Sequence, residues 1–141
     1  MSRIYFDTML FVYFIEDHPQ YKPRVKSIFA SIHRRRDKLC TSVFTVGEVL
    51  TGAYKRGAGN LVAEIQDVLR PPTVDLLPFN LETTERYARI RAENRVSPAD
   101  AIHLASAAQA GVNLFLTHDR SLRKLNVPGI DFIAGLDVNL F

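Results

Sequence analysis

The sequence has little of what would staple, anchor or metallate a chain through sulfur. Among its 141 residues there is one cysteine, Cys40, so no internal disulfide can form. His18, His33, His103 and His118 are scattered singly and no second cysteine accompanies them, which excludes a zinc-ligand spacing. The longest apolar stretches, such as residues 9–15, are far too short to cross a bilayer, so no membrane association is expected. No charged-then-apolar signal sequence opens the chain, and a reducing cytoplasm is the expected home. Cys40 is expected to be a buried strand residue, because a reactive thiol needs an electropositive, accessible setting. Low-complexity segments and internal repeats are also missing, and a single domain over residues 1–141 is expected.

Charge is present in moderation. A net charge of +3 and 23% charged residues permit a polyanionic partner without demanding one. The positive excess lies in the first half, densest around Lys22, Arg24, Lys26 and the run Arg34, Arg35, Arg36. Of these, Lys22, Arg24, Arg34, Arg35 and Arg36 are candidates for gripping an RNA backbone, although a solvated helix face explains any one of them at least as well.

Short apolar segments alternate with helical ones, the pattern of an α/β fold with a central, mainly parallel sheet flanked by helices. Strands are expected over residues 3–6, 38–41, 74–77, 113–117 and 130–134. Helices are expected over residues 8–16, 21–36, 45–55, 61–69 (capped by Asn60), 81–95 (capped by Asn80), 98–110 and 120–125. Ser97, Pro98 and Asp100 read as N-cap, N1 and N3 of an alanine-rich helix that Gly111 ends. Its small residues suit close packing on the sheet.

Four acids stand where strand or helix ends can deliver them to one point: Asp7, Glu48, Asp100 and Asp119. In open α/β sheets ligands bind beyond the carboxyl ends of the strands, and Asp7 and Asp119 each follow an expected strand. Gathered carboxylates repel and raise one another's pKa, so such a site needs a cation, and hard oxygen donors suit Mg²⁺ or Mn²⁺. The competing explanation is local. Asp7 and Asp119 suit N-caps, and Asp100 suits a capping box, which is the favoured structural role for it taken alone. Glu48 differs, because its neighbours Val46, Val49 and Leu50 point to a partly buried carboxylate, costly unless paired.

The succession Ile4-Tyr5-Phe6-Asp7-Thr8, Thr45-Val46-Gly47-Glu48-Val49, Ser97-Pro98-Ala99-Asp100-Ala101-Ile102-His103-Leu104-Ala105 and Phe115-Leu116-Thr117-His118-Asp119-Arg120-Ser121-Leu122 resembles the PIN-domain ribonucleases. Length and order are similar to the VapC-type toxins of bacterial toxin–antitoxin pairs. The resemblance implies a Mg²⁺- or Mn²⁺-dependent endoribonuclease whose acidic site is Asp7, Glu48, Asp100 and Asp119. Asp7, Asp100 and Asp119 would ligate the metal directly or through water, and Glu48 would bind metal or orient the attacking water. Thr117 would be the accompanying hydroxyl, supporting Asp119 or a metal-bound water. It also implies an antitoxin that covers the active-site groove, and a homodimer. Phe11, Tyr13, Phe14 and Phe29 suit either contact, or the core.

Two positions depart from the family pattern. Met9 stands where asparagine is common, which weakens the expected support of Asp7, and His118 precedes Asp119 where asparagine is also common. An exposed turn histidine is the expectation for His118. Met9 also argues against a haloacid-dehalogenase-type phosphatase, which has a second Asp two residues after the first. A receiver-like signalling domain would want paired acids near the first strand and a distal lysine, a pattern absent from the sequence. The alternative kept open is a non-catalytic RNA-binding or protein-interaction domain.

Overall fold

The computed structural model describes residues 1–139. In chain order the elements are β1 (Arg3–Phe6), α1 (Thr8–Ile15), α2 (Lys22–Arg34), β2 (Lys38–Ser42), α3 (Val43–Lys55), a 3₁₀ turn (Gly59–Leu61), α4 (Val62–Val68), β3 (Asp75–Leu77), α5 (Leu81–Glu93), α6 (Pro98–Ala110), β4 (Leu114–Leu116), α7 (Arg120–Arg123) and β5 (Phe132–Ala134). The five strands form one sheet in the order β3-β2-β1-β4-β5, every pairing parallel. Register sets Tyr5 beside Cys40 on one flank and beside Phe115 on the other.

Strand alternation divides the core in two. Ile4, Phe6, Leu39, Leu114 and Leu116 face the layer built from α1 to α4, packing with Leu10, Ile28, Val49 and Ile65. Tyr5, Cys40 and Phe115 face α5 and α6, where Ala101, Leu104, Ala105 and Ala108 lie against them. Both faces are covered, which is why the central strands read as near-continuous apolar runs. Cys40 is buried as expected, and burial pushes its thiol up to about 12, so it is held as an inert thiol.

Most element boundaries follow local chemistry. Asn80 closes a capping box with Thr83 at the start of α5. Ser97 caps α6 with Pro98 in its first turn, and Gly111 ends it at φ 67, a left-handed conformation that glycine adopts without strain. Helix α3 starts two residues before the expected Thr45, because Ser42, the last residue of β2, accepts from the Phe44 N–H as N-cap. The expected cap at Asn60 is not made: Asn60 lies inside the 3₁₀ turn, and α4 begins after Leu61 without a side-chain cap. The second helix stops at Arg34, and Arg36 turns left-handed at φ 59 to feed β2. Strands β3, β4 and β5 are shorter than expected, with Val74, Asn113, Thr117 and Ile130 outside them.

The chain reverses its direction of winding between β1 and β4, with β2 and β3 on one side and β5 on the other. The crevice beyond the carboxyl ends of these strands is the switch point where α/β sheets bind ligands.

Candidate active site

Asp7 is the first residue beyond β1. Its N–H donates to Leu116 O at 3.0 Å, which locks it to the end of β4. Its carboxylate is nearly buried at 9% exposure, and both oxygens are held: Oδ1 accepts from the Thr8 N–H at 2.8 Å and Oδ2 from Thr117 Oγ1 at 2.7 Å. Thr117 is itself fully buried and accepts the Asp119 N–H at 3.1 Å. The Thr117 hydroxyl thus supports Asp119 through its backbone N–H, and it also holds the side chain of Asp7. It also supplies what Met9 does not.

Asp119 caps α7, its Oδ1 accepting from the Ser121 N–H at 2.9 Å and Ser121 Oγ at 2.7 Å. Asp100 lies in the first turn of α6, where its N–H donates to Ser97 Oγ at 3.1 Å. Unlike α5, α6 closes only this half of a capping box, and the Asp100 side chain is hydrogen-bonded to Ser97 at the helix start. Burial raises the Asp100 carboxyl above its usual range, with the charges of Asp7 and Asp119 adding to the effect against the opposing Ser97 and His103.

Glu48 projects from α3. Burial alone would raise its carboxyl, but hydrogen bonds with His103 and Thr8 outweigh burial and leave it below the usual range. Its Oε1 is 2.6 Å from His103 Nε2 and accepts from Thr8 Oγ1 at 2.5 Å. The four acids line one cavity of about 370 Å³ together with Thr8, Met9, Tyr13, His103 and His118, with no Lys or Arg in the lining. Capping and clustering therefore coexist: Asp7 and Asp119 cap their helices with one oxygen and still face the crevice.

His103 was not foreseen as a site residue, yet it is central. It is 2% exposed, bonded to Tyr5 OH through Nδ1 at 2.6 Å, and its Nε2 is 3.7 Å from Asp7 Oδ1. The available signal was its spacing of three from Asp100, which puts both on one helical face. His118 is also corrected. Rather than an exposed turn residue, it is half-buried, with Nδ1 2.6 Å from Tyr13 OH and its ring edge-on to Tyr21 at 4.4 Å.

The basic candidates are not gathered here. Lys22 pairs with Asp17, and its ammonium sits over Phe14, at the start of α2 next to Tyr21. Arg24 donates to the carbonyls of Leu136 and Val138, pinning the segment after β5. Arg34 bonds Ser31 Oγ at 3.0 Å and Arg35 pairs with Asp37 at 3.3 Å. Arg34, Arg35 and Arg36 precede β2, at the amino-end edge of the sheet opposite the carboxylates.

Among the described residues no three His, Cys, Asp or Glu side chains converge tightly enough to enclose an ion by themselves. Oxygen donors lining a water-accessible crevice fit a hard, hydrated cation, since Mg²⁺ keeps several waters and needs only one or two carboxylates.

A family model settles the fold's kinship, matching residues 4–128 as the PIN domain. The chain belongs to the PIN domain family. Among solved structures, this PIN domain is similar to VapBC2 from Rickettsia felis bound to a promoter DNA fragment, at TM-score 0.76 and 14% identity over 94% of this chain and 98% of the other. It is similar to Mycobacterium tuberculosis VapC20, a sarcin-ricin loop cleaving toxin, at TM-score 0.70 and 17% identity over 83% of this chain and 90% of the other. A toxin–antitoxin complex from Klebsiella pneumoniae gives TM-score 0.66 and 20% identity over 90% and 94%. At these identities the likeness is one of fold. No curated protein sequence matches the chain significantly.

Proposed function

We propose that this PIN domain is a metal-dependent endoribonuclease acting as the toxin of a type II toxin–antitoxin pair. The observation that carries the reading is the convergence of Asp7, Glu48, Asp100 and Asp119 on one crevice without a Lys or Arg to neutralise them. Such a cluster is costly unless a cation joins it. Asp7, Asp100 and Asp119 would hold Mg²⁺ or Mn²⁺ directly or through water, with Glu48 binding metal or orienting the attacking water. A cation there supplies Lewis-acid polarisation of a phosphodiester and makes water a competent nucleophile near neutral pH. The protein's own part is to fix the carboxylates: Thr117 and the Thr8 N–H hold Asp7, Ser121 holds Asp119, and His103 with Thr8 holds Glu48. No side chain need attack phosphorus.

Likeness to a solved toxin–antitoxin complex supports an antitoxin as the partner. An antitoxin would cover the crevice and use the apolar surface of α1 and α2, where Phe14 and the exposed Phe29 border an apolar cavity of about 200 Å³. Phe11 and Tyr13 are buried in the core, Phe11 lining the same apolar cavity and Tyr13 the acidic crevice. A homodimer in the cytoplasm is part of the same reading, and no helix among the described residues is long and apolar enough to cross a membrane. Of the basic candidates, Lys22 follows Tyr21, which packs on His118 of the crevice lining.

The test is cleavage of RNA by the purified chain with chelator and with Mn²⁺ or Mg²⁺. Cleavage restored by either ion supports the nuclease, and RNA binding without turnover at any metal supports the non-catalytic alternative. Co-expression with the adjacent small open reading frame should relieve growth inhibition and yield a stable complex. A chain harmless by itself would argue against the toxin while leaving the chemistry standing.

A further inference from the structure

The cavity floor contains a buried polar chain that the acidic site alone does not explain. Tyr5, on β1, is fully buried with its ring stacked on Phe115 at 4.7 Å and 7°. Its hydroxyl accepts from the Ser42 N–H at 3.2 Å and lies 2.6 Å from His103 Nδ1. Burial pushes this phenol far above its usual range, so it stays protonated and has a hydrogen to give. With the Ser42 N–H arriving at the oxygen, we assign the Tyr5 hydrogen to Nδ1, 2.6 Å away, rather than to the neighbouring Thr45 or Thr41 hydroxyls, which makes Nδ1 the accepting nitrogen. The proton of a neutral imidazole is left on Nε2, and Nε2 faces carboxylates: Glu48 Oε1 at 2.6 Å and Asp7 Oδ1 at 3.7 Å.

The ring has no freedom to turn. Phe44 meets it edge-on at 5.5 Å, Tyr5 at 5.9 Å, and Thr45 Oγ1 lies 3.4 Å from Nδ1. Residues from β1, α1, α3 and α6 thereby converge on one imidazole. Its product is a single carboxylate orientation. Glu48 Oε1 is occupied by two donors, His103 and Thr8, whereas Oε2 has no hydrogen-bond partner among the described residues. Glu48 lines the cavity, so Oε2 is the oxygen available to a water or ion there.

We infer that His103 is a positioning residue: fixed by Tyr5 as the Nε2–H tautomer, it clamps Glu48 through Oε1 and reserves Oε2 for the reaction in the crevice. This rests on the nuclease reading for its consequence, but not for its geometry. A buried histidine that served packing alone would tolerate an isosteric apolar ring, whereas a clamp requires a donor. Metal-site carboxylates held by a neighbouring donor typically lose about 10- to 100-fold in activity or metal affinity when that donor is removed.

The experiment has two arms on the full chain. In the metal-free protein at neutral pH, ¹⁵N spectra of the imidazoles should show His103 with a protonated Nε2 and an unprotonated Nδ1, and Tyr5→Phe should disturb that pattern. A protonated Nδ1 in the wild type, or an unchanged spectrum in Tyr5→Phe, overturns the inference whether or not RNA is cut. In RNA cleavage with Mn²⁺, His103→Phe should lower kcat or raise the Mn²⁺ requirement by about 10- to 100-fold with KM for RNA little changed. His103→Gln, which keeps a donor toward Glu48, should recover most of the loss. Equal activity of wild type and His103→Phe, or His103→Gln no better than His103→Phe, also overturns it. Where His103→Phe fails to fold, His103→Gln against Tyr5→Phe makes the comparison, and the clamp fails if Tyr5→Phe retains full activity. A wild type that cuts no RNA with any metal defeats the nuclease reading, and the spectra then still decide the clamp.

Discussion

Thr117 donates its hydroxyl hydrogen to Asp7 Oδ2 across the seam between β4 and β1, at 2.7 Å, in a site closed to solvent. Thr117 Oγ1 in turn accepts the Asp119 N–H, so one threonine ties together the two acids that follow the central strands. Thr117→Val removes both bonds while keeping the shape. It should cost about 1–3 kcal/mol, the penalty for leaving buried polar groups unsatisfied, and Thr117→Ser should restore most of it. Urea unfolding with an unchanged m-value checks this, and a Thr117→Val protein as stable as wild type would show that water replaces the hydroxyl.

If the acids hold a catalytic cation, Asp7→Asn and Asp100→Asn should each lower RNA cleavage by roughly a hundredfold or more, equivalent to about 3 kcal/mol of transition-state stabilisation. Near-normal rates in both variants would remove them from the site. Chelator should abolish wild-type cleavage, and Zn²⁺ should not be needed to restore it.

Asp100 should reveal the cluster through stability as well. Its folded-state pKa is raised, mainly by burial and further by Asp7 and Asp119, so its contribution is fully present below the unfolded pKa and is lost as pH rises through the folded value. At pH 7 the ionised group therefore works against the fold. Asp100→Asn should leave the melting temperature unchanged or raise it at pH 7 and low salt, and flatten its pH dependence in the acid range above the ordinary aspartate pKa. A loss of about 0.5–1 kcal/mol would instead mark a helix-terminal acid acting on the dipole.

Ligand linkage gives a separate reading of the same cluster. Mg²⁺ at about a hundred times its dissociation constant should stabilise the wild type by roughly 2.7 kcal/mol, with a smaller effect on Asp100→Asn. Equal thermal shifts in the two proteins would count against a shared ion.

The alanine face of α6 should tolerate little. Ala101, Ala105 and Ala107 are fully buried, and Ala105 packs in the layer that contains Tyr5 and Phe115. Ala105→Leu should destabilise by about 1–3 kcal/mol through overpacking and, by lifting the helix that carries Asp100 and His103, reduce cleavage further than the stability loss explains. Thermal melting paired with single-turnover rates separates the two effects.

How much of this was legible in the sequence depended on range. Strand β1, the Asn80 and Ser97 caps and the Gly111 stop are local signals, and they stand where the sequence puts them. The four acids could be grouped because the ends of parallel strands share an edge. Asn60 misled because a capping residue does not by itself exclude a 3₁₀ turn. His103 and His118 were read as isolated because their partners, Tyr5 and Tyr13, lie 98 and 105 residues away, and no local pattern announces such a pairing. The basic run at Arg34 to Arg36 looked relevant by charge alone, and topology assigned it to the other edge.

Asp7 and Thr117 are 110 residues apart in sequence, although they meet side by side. A ribosome makes Asp7 first, 110 residues before Thr117, so a nascent chain holds Asp7 without its threonine until β4 has been made. The crevice cannot be completed before Asp119 has been made. Contacts of such separation also form late and slowly, because the closure entropy must be met before they contribute. Termination of translation anywhere before β4 would leave fragments without Thr117 and Asp119, and so without the four-acid crevice.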